Sequence, residues 1–304
     1  MKRLCFILFF CLAMGGVFST HAATAPKTGL ILASQDVTLA LGQVLVKGTS
    51  LKMARAIPAA YSLSVHENYL KKHFQEFSEL AQKADVALTV ASAWPVEPLF
   101  AYARRANPWV VEVDAVMPLD RCRAGVPLLQ VPGREALLPY VWRSPGNLAR
   151  MADIAAVDLS RLYPGQAERI INNLNALKRA IFKLRTEYEI ALAESEYFEV
   201  AALTHDFAYL TDEFGICVVK WFLKPEYQWQ AKDLNRLAGL LEENKIKAVV
   251  CAWQPKAKIA QTIQQAGARI LLLNSFKLEQ EAEVSVLINY YRQNLEILRQ
   301  GLAR

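Results

Sequence analysis

Read in order, the chain alternates two kinds of stretch. Short runs rich in aliphatic and β-branched residues occur in the first half at "TGLILAS" (28–34), "SLKMARAI" (50–57), "DVALTVAS" (85–92) and "WVVEVDAV" (109–116). Three more occur near the end, at "GICVVKWF" (215–222), "IKAVVCAW" (246–253) and "ARILLLNS" (268–275). Between them lie stretches of helical period such as "NYLKKHFQEFSELAQKA" (68–84) and "LNRLAGLLEENK" (234–245). Strand-like runs separated by amphipathic helices predict α/β units with mostly parallel sheets, and their two groups imply two lobes.

The segment "GQAERIINNLNALKRAIFKLRTEYEIALAES" (165–195) separates those groups. Ile170, Leu174, Leu177, Ile181, Leu184, Tyr188 and Ala191 recur at alternating spacings of four and three, which places one apolar stripe along a helix of about eight turns. "YPGQ" (163–166) starts it and the acidic "AESEYFE" (193–199) ends it. A flexible linker would be rich in Gly and Ser; this one reads as a rigid strut. The expected plan is a signal peptide over 1–23, an N-terminal lobe over 24–160, a linking helix over 161–195 and a C-terminal lobe over 196–304, the lobes being Rossmann-like.

The N-terminus reads as an export signal. "MKR" supplies the positive start, "LCFILFFCLAMGGVF" the apolar stretch and "STHAATA" the small residues before a cut after Ala22 or Ala23. Phe10 beside Cys11 is too bulky for a lipid-attachment site. No later run approaches the roughly 18 apolar residues of a membrane span, so the mature chain is expected in a bacterial periplasm.

Composition supports a folded protein: of 304 residues, 53% are hydrophobic and 21% charged. The net charge of +6 falls by the two charges of Lys2 and Arg3 to +4 after processing. That excess is spread out and forms no dense basic stripe, which argues against nucleic acid as a partner. Cys122, Cys217 and Cys251 remain after processing. Cys217 and Cys251 both lie in runs that read as buried neighbouring strands, either as core thiols or as a disulfide, and the sequence leaves both open. The chain carries no Gly-x-Ser-x-Gly elbow, no Gly-x-Gly-x-x-Gly after a strand, no phosphate-binding glycine loop and no His-Glu-x-x-His. A cysteine nucleophile paired with His205 lacks a visible electropositive setting. A binding protein is expected, with no enzyme substrate.

Four stretches add a resemblance. They are "WPVEPLFAYARRA" (94–106), "YVWRSPGNLARMADIAAVDLSRLYPGQAERIINNLNALKRAI" (140–181), "LTHDFAYLTDEFGICVV" (203–219) and "KAVVCAWQPKAKIAQTIQQAGARILLL" (247–273). In this order, with one long helix between two lobes, they resemble the zinc- and manganese-binding solute-binding proteins of bacterial ABC transporters. The resemblance runs from about Thr28 to the C-terminus and is strongest from Pro139 onward. It implies a metal site between the lobes, a membrane permease as partner and a monomeric protein. The metal would be a divalent ion, zinc first, with manganese or iron as alternatives.

The family's site draws on three histidines and a late carboxylate. His205 matches one, with Asp206 behind it in a supporting position. Where the next histidine is expected stands Tyr140, and where the carboxylate is expected stands Asn274. The first ligand falls near "SVHENYL": His66 keeps the chemistry but is displaced by about three residues, and Tyr69 fits the spacing better. Gln254 replaces a glutamate that many relatives carry, and no His- or Asp-rich loop is present.

A set of His66, Tyr140, His205 and Asn274 carries less negative charge than zinc normally finds in four N, S or O⁻ donors. Tyr140 must lose a proton of ordinary pKa near 10 to bind strongly, which suits ferric iron better than zinc. Each residue also has a structural reading: a buried histidine is commonly a hydrogen-bonded core residue, Tyr140 beside Trp142 packs at a lobe edge, and His73 sits on a solvated helix face. The alternatives are therefore a metal-ion carrier with an unusual donor set, a binder of a chelated metal or organic ligand, and a scaffold that acts as an interaction protein without metal. In each carrier the strut would keep hinge opening small.

Overall fold

The computed structural model describes residues 28–131 and 135–303. The expected signal peptide lies outside the described residues. In the first lobe, β1 (Leu30–Ala33), β2 (Lys52–Arg55), β3 (Val86–Thr89) and β4 (Val111–Asp114) form one parallel sheet in the order β2-β1-β3-β4. Its helices are α1 (Asp36–Val46), α2 (His66–Lys72), α3 (Phe74–Ala81) and α4 (Leu99–Ala106). Two long helices follow, α5 (Pro145–Leu162) and α6 (Ala167–Ala193).

The second lobe runs β5 (Glu199–Ala202), α7 (Ala208–Glu213), β6 (Cys217–Trp221), α8 (Ala231–Glu243), β7 (Ala248–Cys251), α9 (Ala257–Gln265), β8 (Arg269–Leu272) and α10 (Val284–Leu302). Its sheet is also parallel, in the equivalent order β6-β5-β7-β8. The seven expected strands are present. Every residue of β3 and β7 is buried, as strands covered on both faces must be.

The stripe predicted for the long helix is the buried face of α6, with one change. Ile170, Leu174, Leu177, Ile181, Leu184 and Tyr188 are buried, and the last contact is Leu192 rather than Ala191. A step of four from Tyr188 stays on the same face, and leucine fills more of the groove than alanine. This face packs on α1 of the first lobe, on α5 and on α10 of the second lobe. One hydrophobic core therefore runs from Ile31 through Leu177 to Leu295.

Three expectations are corrected. The stretch 68–84 is not one helix: it breaks at His73 (φ −108°, ψ 28°) into α2 and α3. A strand not expected, β5, is central in its sheet. Cys217 and Cys251 are free, and β5 separates their strands, so they are not neighbours; Cys217 is exposed on the edge strand while Cys251 is buried. Burial pushes the Cys251 thiol up to about 12, which keeps it protonated and inert.

After β8 the chain crosses back to the first lobe. Leu278 N–H donates to Asp36 Oδ2 (3.0 Å) and Ala282 N–H to Gln43 Oε1 (2.9 Å), both on α1. These bonds tie the segment after β8 to the first lobe. Among the described residues no helix is long and apolar enough to cross a membrane.

Candidate functional site

In each sheet the first strand is flanked by its successor on one side and the third strand on the other. At such a switch point the connections leave toward opposite faces, and a crevice opens beyond the carboxyl ends of the strands. Ser34 and Gln35 follow β1, Asp206 follows β5, and all three line one cavity of about 450 Å³. The cleft therefore draws on both lobes, and the turn just before α5 contributes Tyr140, Trp142 and Arg143.

Of the residues singled out in the sequence, His66, Tyr140 and Asp206 share this cavity. His66 opens α2, is 2% exposed and lies edge-on to Trp94. Its Nε2 faces the Tyr61 carbonyl at 3.3 Å, so that nitrogen carries the proton and donates. Burial lowers the pKa of His66 and keeps the ring neutral. Tyr69 lines a different pocket, where it stacks on His73. Asn274 is exposed and outside the cavity wall, and its backbone is held by the Asn294 side chain (2.7 and 3.0 Å).

His205 stands behind Asp206, with Nδ1 at 3.5 Å from Oδ1, an ion-pair distance longer than a good hydrogen bond. Asp206 in turn faces Arg143 Nη2 at 3.3 Å. Burial works against the Asp206 charge, but the His205 imidazole and the Arg143 guanidinium together hold its pKa below the ordinary value. Thus the one histidine that matches the family pattern acts on a carboxylate committed to an arginine.

Arg143 is the site residue that sequence reasoning missed. It precedes Ser144, whose Oγ accepts from Asn147 N–H (2.9 Å) and caps α5, with Pro145 in the first turn. That cap fixes the turn bearing Arg143. The guanidinium lies 4.5 Å from the Tyr140 ring centre and 4.2 Å from that of Phe207, and Nη2 also reaches Ser275 Oγ (3.2 Å). The available signal was one cation inside the apolar stretch "PYVWRSP".

A second unforeseen group lies behind the β1 end of the cleft. Glu97 is buried and accepts from Ser34 Oγ (2.7 Å), Gln35 Nε2 (3.3 Å) and Val90 N–H (2.7 Å). Burial still raises its pKa to about 7 against these three donors. Asp36, at the start of α1, pairs with Arg55 at the end of β2 while also accepting from the crossing segment. Glu97 is closed by neutral donors and Asp36 by a charge pair, both within the protein.

The donors do not form a bare-ion site. Among the described residues no group of three or more His, Cys, Asp or Glu side chains is placed to hold a metal ion. Asp36 and Asp206 are each paired with an arginine. The Tyr140 phenol is pushed above its ordinary pKa by burial and then by Asp206, with Arg143 pulling the other way, which disfavours phenolate. A divalent ion placed on Asp206 would also sit beside a guanidinium. The residues therefore do not fit four-donor coordination of an uncomplexed ion.

A two-lobed α/β protein with a cleft over both switch points, joined by a helical spine, is the class that fold and site define. The family described as zinc-uptake complex component A, periplasmic, matches residues 49–301, and the chain belongs to it. No curated protein matches. Among solved structures, a mutant of FpvC from Pseudomonas aeruginosa has 17% identity and a TM-score of 0.73, covering 90% of this chain and 98% of that one. Zn(II)-bound AdcA from Streptococcus pneumoniae has 20% identity and a TM-score of 0.70, covering 90% of this chain and 58% of that one. The metal-dependent lipoprotein YcdH from Bacillus subtilis has 18% identity and a TM-score of 0.69, covering 90% and 99%. At these identities the likeness is one of fold.

Proposed function

We propose that this chain is the periplasmic binding component of an ABC importer, holding a metal-bearing cargo between its lobes and presenting the loaded form to a membrane permease. The observation that carries the reading is the cavity itself. Both lobes wall it, and Gln35, His66 and Arg143 among its lining residues each keep a buried polar atom without a hydrogen-bond partner. Buried polar atoms left unpaired in a native protein call for an explanation, and a ligand supplies one. The residues 1–23 would direct export and be removed, and the mature protein would work as a monomer.

The division into lobes over 24–160 and 196–304, linked by 161–195, belongs to the same proposal, because it leaves α6 as the element about which the lobes close. The packing of α6 on both lobes limits closure to small, local movements. The metal is zinc in the first instance, with manganese and iron as alternatives. His66 and Tyr140 would face the cargo, His205 would steady Asp206, and Asn274 would act only if the segment after β8 moved.

Secretion of the full chain, followed by native mass spectrometry and elemental analysis, tests this reading. Cleavage after Ala22 or Ala23 and a bound cargo released on unfolding are expected. A cargo stabilises the folded state by RT ln(1 + [L]/Kd). A protein that carries neither metal nor small molecule, and gains no thermal stability from metal salts, metal chelates or organic acids, would instead be a scaffold.

A further inference from the structure

The unpartnered atoms in the cleft have a chemical sense. Gln35, His66 and Arg143 are 4%, 2% and 5% exposed, and each lines the cavity. On Arg143, Nε and Nη1 lack partners while Nη2 is taken by Asp206 and Ser275. On His66, Nε2 donates to the Tyr61 carbonyl, so the unpartnered Nδ1 is a bare lone pair. On Gln35, Nε2 donates to Glu97 and Oε1 is left as an acceptor. The residues lining the cleft thus carry unused guanidinium N–H donors on Arg143 and two neutral acceptors on His66 and Gln35.

We propose that the cargo is bound through a carboxylate with an adjacent hydroxyl, as a small hydroxycarboxylate or the metal complex of one, with Arg143 as the anion anchor. The inference rests on the cleft-binding reading above. Arginine donors match carboxylate oxygens in geometry and charge. The His66 and Gln35 acceptors are matched by a ligand O–H, which a simple carboxylate or a bare ion lacks. Volume agrees: about 450 Å³ lies in the range of small-molecule sites and far exceeds the space of one ion.

Charge agrees as well. Asp36 is closed on Arg55 and Asp206 on Arg143, so Lys277, exposed on the cavity rim, leaves the wall with one positive charge in excess. The unpartnered atoms are shielded from water in this arrangement, so a cargo pairs with them through a local shift of the side chains around them. A metal enters this cleft already neutralised by its chelator, which removes its conflict with the guanidinium.

Calorimetry of the processed protein tests this with four probes: citrate, zinc citrate, ferric citrate and chelator-free zinc chloride. Citrate-bearing probes should bind, and Arg143→Gln should weaken them by about tenfold or more, the loss of a charged hydrogen bond. Lys277→Glu reverses a rim charge without touching the core, so it should fold and weaken the same probes by a smaller factor. Tricarballylate, which is citrate without its hydroxyl, should bind more weakly than citrate. Equal binding of citrate with and without metal identifies the free acid as cargo, and tighter binding of a complex identifies the chelate; either supports the proposal.

Unchanged affinity in both variants would overturn it. So would tight binding of zinc chloride that His205→Ala abolishes; the importer reading would then stand while the carboxylate anchor fell. Failure of every probe, with cargo still present in the secreted protein, rejects only the carboxylate. Failure of every probe in a protein that also carries no cargo rejects both readings.

Discussion

At the carboxyl end of β1 the first lobe holds Glu97 under Ser34 and Gln35; at the matching end of β5 the second lobe holds Asp206 against Arg143. Both carboxylates stand at a switch point of the same strand order. Glu97 is enclosed and its two oxygens take three donors, so it stiffens the loop that carries Gln35. Asp206 is part-exposed and binds a guanidinium that keeps unused donors. A buried carboxylate with its donors in place builds a wall, whereas a buried guanidinium with unused donors leaves a place for a ligand.

The comparison presumes that the two lobes act as one body, and the largest expected effect tests that. Leu177→Ala on the buried face of α6 should cost about 3 kcal/mol, within the range for a deleted core leucine, and both lobes should still unfold in one transition. Two separate transitions in a denaturant titration would show that the spine does not couple them.

A pH series separates the two carboxylates. Glu97 has a folded pKa of about 7 against 4.5 unfolded, so the folded state holds its proton more tightly. Its contribution is favourable below about pH 4.5 and is lost as pH rises through 7, a fall of up to about 3 kcal/mol. Asp114 and Glu112, also raised by burial, act in the same direction. Glu97→Gln should flatten this fall in urea midpoints between pH 5 and 8. It should also cost about 1–2 kcal/mol at pH 5, because an amide NH2 faces N–H or O–H donors.

Asp206 has the opposite sign. Its folded pKa is depressed, so its contribution is present above the unfolded value and is lost as pH falls through the folded one. Asp206→Asn should therefore leave the curve between pH 5 and 8 unchanged in shape and cost about 1–2 kcal/mol, since it removes the carboxylate facing the buried Arg143 guanidinium. A change of slope above pH 5 would contradict the assignment of that slope to Glu97.

The smallest effect contrasts the edge and centre of the second sheet. A thiol reagent should modify Cys217 and Cys122 in the native protein and reach Cys251 only on unfolding, without altering the denaturation midpoint. Prompt native modification of Cys251 would mean that β7 opens far more readily than its burial implies.

Much of the architecture was legible in the chain. Seven strands show as short apolar runs and the α6 stripe as a period of 3.6, because central parallel strands are covered on both faces while the helix buries one. The strand β5 was hidden: "EVAA" has little intrinsic strand preference, and it is extended because β6 and β7 bind both its edges. The break at His73 was hidden for a similar reason, since the apolar pattern continues across it. His66, Tyr140 and Asn274 could be proposed for one cleft from the resemblance and Tyr69 from its spacing, but Tyr69 and Asn274 lie outside its wall.

By itself, then, the sequence determined an α/β chain of two parallel-sheet lobes on a helical spine, since those features follow from interactions within a few residues and one buried face. Only the tertiary structure decided the chemistry of the cleft. Arg143 meets Asp206 and Ser275 from distant parts of the chain, and His66 meets Tyr61 through a local turn that leaves Nδ1 bare. Which polar atoms remain without a partner depends on every group that arrives around them, and no local pattern carries that sum.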